Sequence, residues 1–95
     1  MSEKAIREKC REIADFLVKK NAAYGDSIFN PVNILSKDKD PLSQIDVRID
    51  DKLSRLAYGK KYPGDDTVRD LIGCLIIREI AVDLEKAKGN DNVVQ

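Results

Sequence analysis

The sequence has no histidine and no tryptophan, two cysteines, three prolines and five glycines, and its charges sum to zero. Each shortage excludes something. Without histidine there is no imidazole to act as general base, and with no CxxC pair the ordinary zinc ligand sets are missing too. Cys10 and Cys74 each fall on the apolar stripe of a predicted helix. Two buried free thiols in a reducing compartment are therefore expected, with a disulfide as the other reading. No apolar run approaches the length of a membrane span, and the opening MSEKAIREKC is too charged for a secretion signal. A soluble, cytoplasmic protein with no membrane partner is expected. Seventeen Lys and Arg balance seventeen Asp and Glu, which disfavours general DNA or RNA binding through a phosphate-neutralising surface. A local cationic cluster can still hold one small phosphorylated ligand.

What is present is 95 residues, 42% hydrophobic and 36% charged. That length makes one domain, residues 1–95, close to the size at which a single core becomes marginal. Domains this small often borrow stability from a second subunit, so a homo-oligomer is expected.

The hydrophobic spacing predicts three helices and no strand, an all-α fold. The first covers residues 2–20, with Ile6, Cys10, Ile13, Ala14 and Leu17 at helical spacing. Ser2 is its N-cap, Lys19 and Lys20 suit the negative end of its dipole, and Asn21 marks its exit. The second starts at Asp40-Pro41, a favoured cap followed by a pre-organised first position. It carries Leu42, Ile45, Ile49, Leu53 and Leu56 as one stripe and ends at Gly59. The third begins with Asp65 or Asp66 as cap and runs through LIGCLII (71–77), apolar almost all round, to Lys88. Its centre must be covered on several sides, by the other helices or by a subunit interface. Residues 89–95 are expected to be a disordered tail.

Residues 21–39 are left as one long connection. Loops of this length are uncommon in compact domains unless they carry function or are disordered. This one holds Tyr24, Ile28, Phe29, Val32, Ile34 and Leu35, too much apolar surface for a disordered linker. An ordered loop is expected, with residues 28–35 packed down as a lid or partner contact. Gly25 permits a turn with positive φ, so Tyr24 and Asp26 can point the same way across it. Tyr24 offers a flat face for stacking a base, while Asn21, Asp26 and Ser27 can read its edge or a ribose. The plainer alternative is a helix-exit turn with Tyr24 packed on the core.

Arg48, Lys52 and Arg55 fall on one flank of the second helix, since 100° per residue brings positions i, i+4 and i+7 together. Three such cations repel one another unless acids or an anion lie among them. They read either as a solvated face with salt bridges to the third helix or as a phosphate clamp. Asp66 and Asp70 share a face of the third helix, with Gly73 one turn on. A mid-helix glycine costs about 1 kcal/mol relative to alanine, so close approach of a backbone or ligand is expected there. Asp66 and Asp70 either pair with Arg48, Lys52 or Arg55, or join Asp50 and Asp51 around Mg²⁺ with substrate phosphates.

KNAAYGDS, RIDDKLSRL and DDTVRDLIGCLII, in that order over residues 20–77, resemble nucleotide modification associated domain 1, a small helical domain encoded by phages. The resemblance lies in the combination of K-N-x-x-Y-G-D-S, R-x-D-D-K-x-x-R and D-x-x-x-D-L-x-G. It implies a phage protein, acting in the host cytoplasm, whose ligand is a nucleotide. The matching positions are Lys20, Asn21, Tyr24, Gly25, Asp26 and Ser27, then Arg48, Asp50, Asp51, Lys52 and Arg55, then Asp66, Asp70 and Gly73. A looser similarity joins the chain to all-α nucleoside triphosphate pyrophosphatases of the MazG type. Those hold Mg²⁺ on ExxE and ExxD helices. Here Asp66 and Asp70 stand at i, i+4 in place of ExxD, and no ExxE pair precedes them.

Two functions are expected from this reading. In the first, a non-catalytic sponge sequesters a nucleotide immune signal, such as a cyclic nucleotide or an ADP-ribose derivative, to counter host defence. It needs no cofactor and uses Lys20, Asn21, Tyr24, Gly25, Asp26, Ser27, Arg48, Lys52 and Arg55. In the second, a Mg²⁺-dependent pyrophosphohydrolase acts on nucleoside triphosphates or modified nucleotides, with Asp50, Asp51, Asp66 and Asp70 as metal ligands.

Overall fold

The computed structural model describes residues 2–23, 35, 40–59 and 66–93. Three helices follow in order, α1 (Glu3–Ala23), α2 (Pro41–Tyr58) and α3 (Thr67–Val93). The described residues contain no strand, so the fold is all-α. No helix among them is long and apolar enough to cross a membrane. The chain divides into two compact units, Met1–Val32 and Asn33–Gln95.

In the first unit, the Ser2 hydroxyl caps α1 by accepting from the Ala5 N–H at 3.1 Å. Glu3 in the first turn and Lys20 in the last complement the helix dipole. Pairs three or four residues apart line the exposed surface: Arg7–Glu3 at 2.9 Å, Lys9–Glu12 at 2.8 Å and Lys4–Glu8 at 3.9 Å. Each such exposed pair adds only about 0.3–0.5 kcal/mol, so together they mainly favour helix over coil in the early turns. Burial is concentrated further along, at Ile13, with Phe16 and Leu17 half-buried. Cys10 is exposed and free, contrary to its expected burial. Of this stripe Ile13 is buried and Leu17 half-buried, while Ile6, Cys10 and Ala14 face water. The helix also runs past Lys20 and includes Asn21. Ala22 and Ala23, the strongest helix formers, outweigh the modest penalty of Asn21.

In the second unit, α2 and α3 pack on each other. Asp40 caps α2, its carboxylate accepting from the Leu42 N–H at 3.3 Å, and Pro41 occupies the first turn. Gly59 closes the helix at φ 72°, donating its N–H to the Arg55 carbonyl at 2.9 Å. Both ends lie where the sequence placed them. Among the described residues beyond its own chain neighbours, no atom lies within 4 Å of where a Gly59 Cβ would be. Gly59→Ala is therefore a pure backbone test: it should cost about 1–2 kcal/mol in urea denaturation through the left-handed conformation alone. Gly59→Asn should recover part of that loss.

Asp66 caps α3, accepting from the Arg69 N–H at 3.0 Å. The helical assignment continues beyond Lys88 to Val93, further than the sequence suggested. The core between α2 and α3 is small. Ile45 (2% exposed) and Ala81 are buried, as are Thr67 and Gly73, while Leu42, Ile49, Leu71 and Ile77 are half-buried.

An ion pair crosses from α2 to α3. Arg78 Nε donates to Asp46 Oδ1 at 2.7 Å, and Nη2 reaches Oδ2 at 3.5 Å. The hydrogen bond first, and the charge of Asp46 second, raise the Arg78 pKa above its ordinary value. A raised pKa on a cation contributes stability below the unfolded value and loses it only as pH climbs through the folded one, so this contribution is constant across the neutral range. Arg78→Met and Asp46→Leu should each lower the melting temperature, and the double variant should lose less than the two single losses added. Strict additivity would show that the pair does not couple the helices.

Candidate functional site

Two candidate residues of the first unit, Lys20 and Asn21, sit in the last turns of α1. Lys20 Nζ lies 5.4 Å from the centroid of the Phe16 ring, one turn back, a cation–π distance. Next to it, Asn21 is half-buried, and its Oδ1 is buried without a hydrogen-bond partner among the described residues. Leaving an amide oxygen in that state costs about 1–3 kcal/mol. Such an atom calls for an explanation, and a donor supplied from outside the chain is one of the few available. Asn21 was read from sequence as a loop residue. The helix instead fixes its backbone and limits its rotamers, which makes it a better-positioned contact than a loop would. Tyr24, Gly25, Asp26 and Ser27 lie outside the described residues. Of residues 28–35 only Leu35 is described, and at 95% exposure it is not part of a packed lid.

In the second unit, α2 places Arg48, Lys52 and Arg55 along one flank. Arg48 and Arg55 are exposed, and Lys52 is half-buried. Arg55 Nη2 meets Asp51 Oδ2 at 3.2 Å across one turn. The self-repulsion of the three cations is thus relieved in part on their own helix. This flank does not supply the Asp46–Arg78 link to α3, which forms from the other side of the α2 stripe.

The four aspartates proposed around Mg²⁺ have separate surroundings. Asp51 pairs with Arg55, and Asp50 is exposed. Asp66 is occupied as the α3 cap, with a further contact to Arg69 Nε at 3.8 Å. The cap is one of the two that the sequence offers, Asp65 or Asp66, while the side-chain contact is to Arg69 and not to Arg48, Lys52 or Arg55. Asp70 is half-buried and donates its backbone N–H to the Asp66 carbonyl at 3.0 Å. Among the described residues, no group of three or more Asp, Glu, Cys or His could hold a metal ion. Gly73 is buried.

Sequence reasoning passed over the outer surface of α3. An open groove of about 590 Å³ runs along it, with Ile72, Leu75 and Ile76 towards its N-terminal end and Glu79, Asp83 and Lys86 towards its C-terminal end. The signal was present in the sequence, as charged residues entering at helical spacing after the apolar LIGCLII run.

No family model, no curated protein and no solved structure matches this chain.

Proposed function

We propose that this chain is a small phage-type nucleotide-binding protein that sequesters a nucleotide signal without altering it, and that it works as an oligomer in the host cytoplasm. The observation that carries the reading is Asn21. Its carbonyl oxygen is buried and has no hydrogen-bond partner among the described residues, and the exocyclic amine of a base or a ribose hydroxyl is a donor that would satisfy it. The negative end of the α1 dipole also favours a donor there over a phosphate. On the second unit, taken by itself, Arg48, Lys52 and Arg55 suit phosphate charge through charge-assisted hydrogen bonds. Tyr24 in K-N-x-x-Y-G-D-S supplies a ring for stacking. Sequestration requires affinity and no bond-breaking step, so residues of these types suffice.

The test is a thermal-shift screen against mononucleotides, cyclic dinucleotides and ADP-ribose, with chelator present. At least one ligand should raise the melting temperature without metal. Asn21→Leu should then do two things at once. It removes the orphaned acceptor, so the ligand-free protein should gain stability, by about 1 kcal/mol. It should also abolish the ligand-induced shift. A variant that loses stability yet keeps the full shift would remove Asn21 from the site. Turnover that requires Mg²⁺ and is lost in Asp70→Asn would replace sequestration by hydrolysis.

A further inference from the structure

Tyr58 is the last residue of α2, and it stands 86% exposed. Among the described residues its ring has no hydrogen-bond, ionic or aromatic partner. Single exposed aromatics are ordinary; the residue one turn back is what distinguishes this one. Positions three apart on a helix are neighbours, with Cβ atoms about 5–6 Å apart, so Tyr58 rises beside Arg55. Gly59 closes the turn that carries both by donating its N–H to the Arg55 carbonyl at 2.9 Å. The spacing of the two side chains is thus set by a capped helix end. Among the described residues Arg55 engages only Asp51, through Nη2 at 3.2 Å. A guanidinium carries five N–H donors, so most of its fork is open to an anion.

From this juxtaposition we infer that Tyr58 is the stacking platform for the base of a nucleoside polyphosphate whose phosphates lie along Arg55, Lys52 and Arg48. It rests on the nucleotide reading above and adds to it the residue that holds the base on this unit. Charge sets the direction. The C-terminal end of α2 is the negative end of its dipole, so the uncharged base belongs at Tyr58 and the phosphates towards the middle of the helix. Arg55, Lys52 and Arg48 recede from Tyr58 by about 4.5, 9 and 15 Å along the axis, at 1.5 Å per residue. A single phosphate meets only the first of these cations, and a polyphosphate meets more. Asp51 offsets part of their charge, so the flank alone holds bare phosphates weakly and the ring makes the difference for a nucleotide. Stacking accepts the face of any base, so the class recognised is the nucleotide and not one base.

The chain has no tryptophan, so Tyr58→Trp places a single indole at the platform. In chelator, ATP should quench its fluorescence, and inorganic triphosphate, which has no base, should not. By isothermal titration Tyr58→Ala should lose about tenfold or more in ATP affinity and leave triphosphate binding unchanged. Tyr58→Phe, which keeps the ring, should bind ATP like the wild type. The melting temperatures should stay level, since the ring is in water. Equal ATP affinity in wild type and Tyr58→Ala, an equal loss in Tyr58→Phe, or an indole that ATP leaves unquenched overturns the platform and leaves sequestration standing. A wild type that ignores ATP but takes another ligand of the thermal-shift screen does the same. A wild type that binds no nucleotide at all overturns both.

Discussion

Ile45→Ala is expected to remove most of the stability of the Asn33–Gln95 unit. Ile45 is the most deeply buried side chain described in that unit, at 2% exposure. Truncating a buried isoleucine to alanine costs about 2–5 kcal/mol, through lost transfer free energy and the cavity left behind. The upper part of that range applies here, because the buried neighbours available to close the cavity are few and small. Ala81, Gly73 and Thr67 contribute little volume to a collapse. Native domains hold only about 5–15 kcal/mol in all, and a small one sits towards the lower end. Ile45→Val, which keeps the branch point, should cost about 1 kcal/mol. Urea titration followed by circular dichroism, at one fixed protein concentration, distinguishes the two. A loss below about 1 kcal/mol for Ile45→Ala would place the centre of the core elsewhere.

The second large effect concerns ligand and not fold. Arg55→Ala should weaken nucleotide binding by about tenfold to a hundredfold, the loss expected for one charge-assisted hydrogen bond worth about 1.5–3 kcal/mol. It should leave the melting temperature nearly unchanged. Arg55 and its partner Asp51 are both about half exposed, and surface pairs of that kind contribute little to folding. The same geometry gives the converse result for Asp51→Asn. With the competing carboxylate neutralised, Arg55 and Arg48 present more positive potential to an anion. Affinity should then rise, most clearly at low salt. Isothermal titration of both variants against one ligand decides the point. Equal affinities for wild type and Arg55→Ala would exclude this flank of α2 from phosphate contact.

The elements most legible in the sequence were those fixed by local chemistry. Ser2, Asp40-Pro41, Gly59 and Asp66 each set a helix end through contacts within a few residues, and each does so in the structure. The shared face of Arg48, Lys52 and Arg55 follows from helical geometry alone. What escaped the sequence depends on packing. Cys10 lies on the same stripe as Ile13, and only the structure shows that Ile13 is buried and Cys10 exposed. Asp46 and Arg78 are 32 residues apart, and periodicity on α2 carries no information about which α3 residue comes opposite. Asp66 illustrates a third case. The sequence offers its carboxylate both as the α3 cap and as a pairing or metal-binding group, and in the structure it accepts from an otherwise unsatisfied N–H at the start of α3.

The central claim is that the chain holds a nucleotide intact. The direct measurement is to incubate it with a ligand identified by thermal shift, in chelator and again with Mg²⁺, separate protein from free ligand, denature the complex and identify what is released by mass spectrometry. Sequestration predicts the unaltered nucleotide in fixed proportion to protein under both conditions. Release of a cleaved product with Mg²⁺, or no retained nucleotide under either condition, would contradict it.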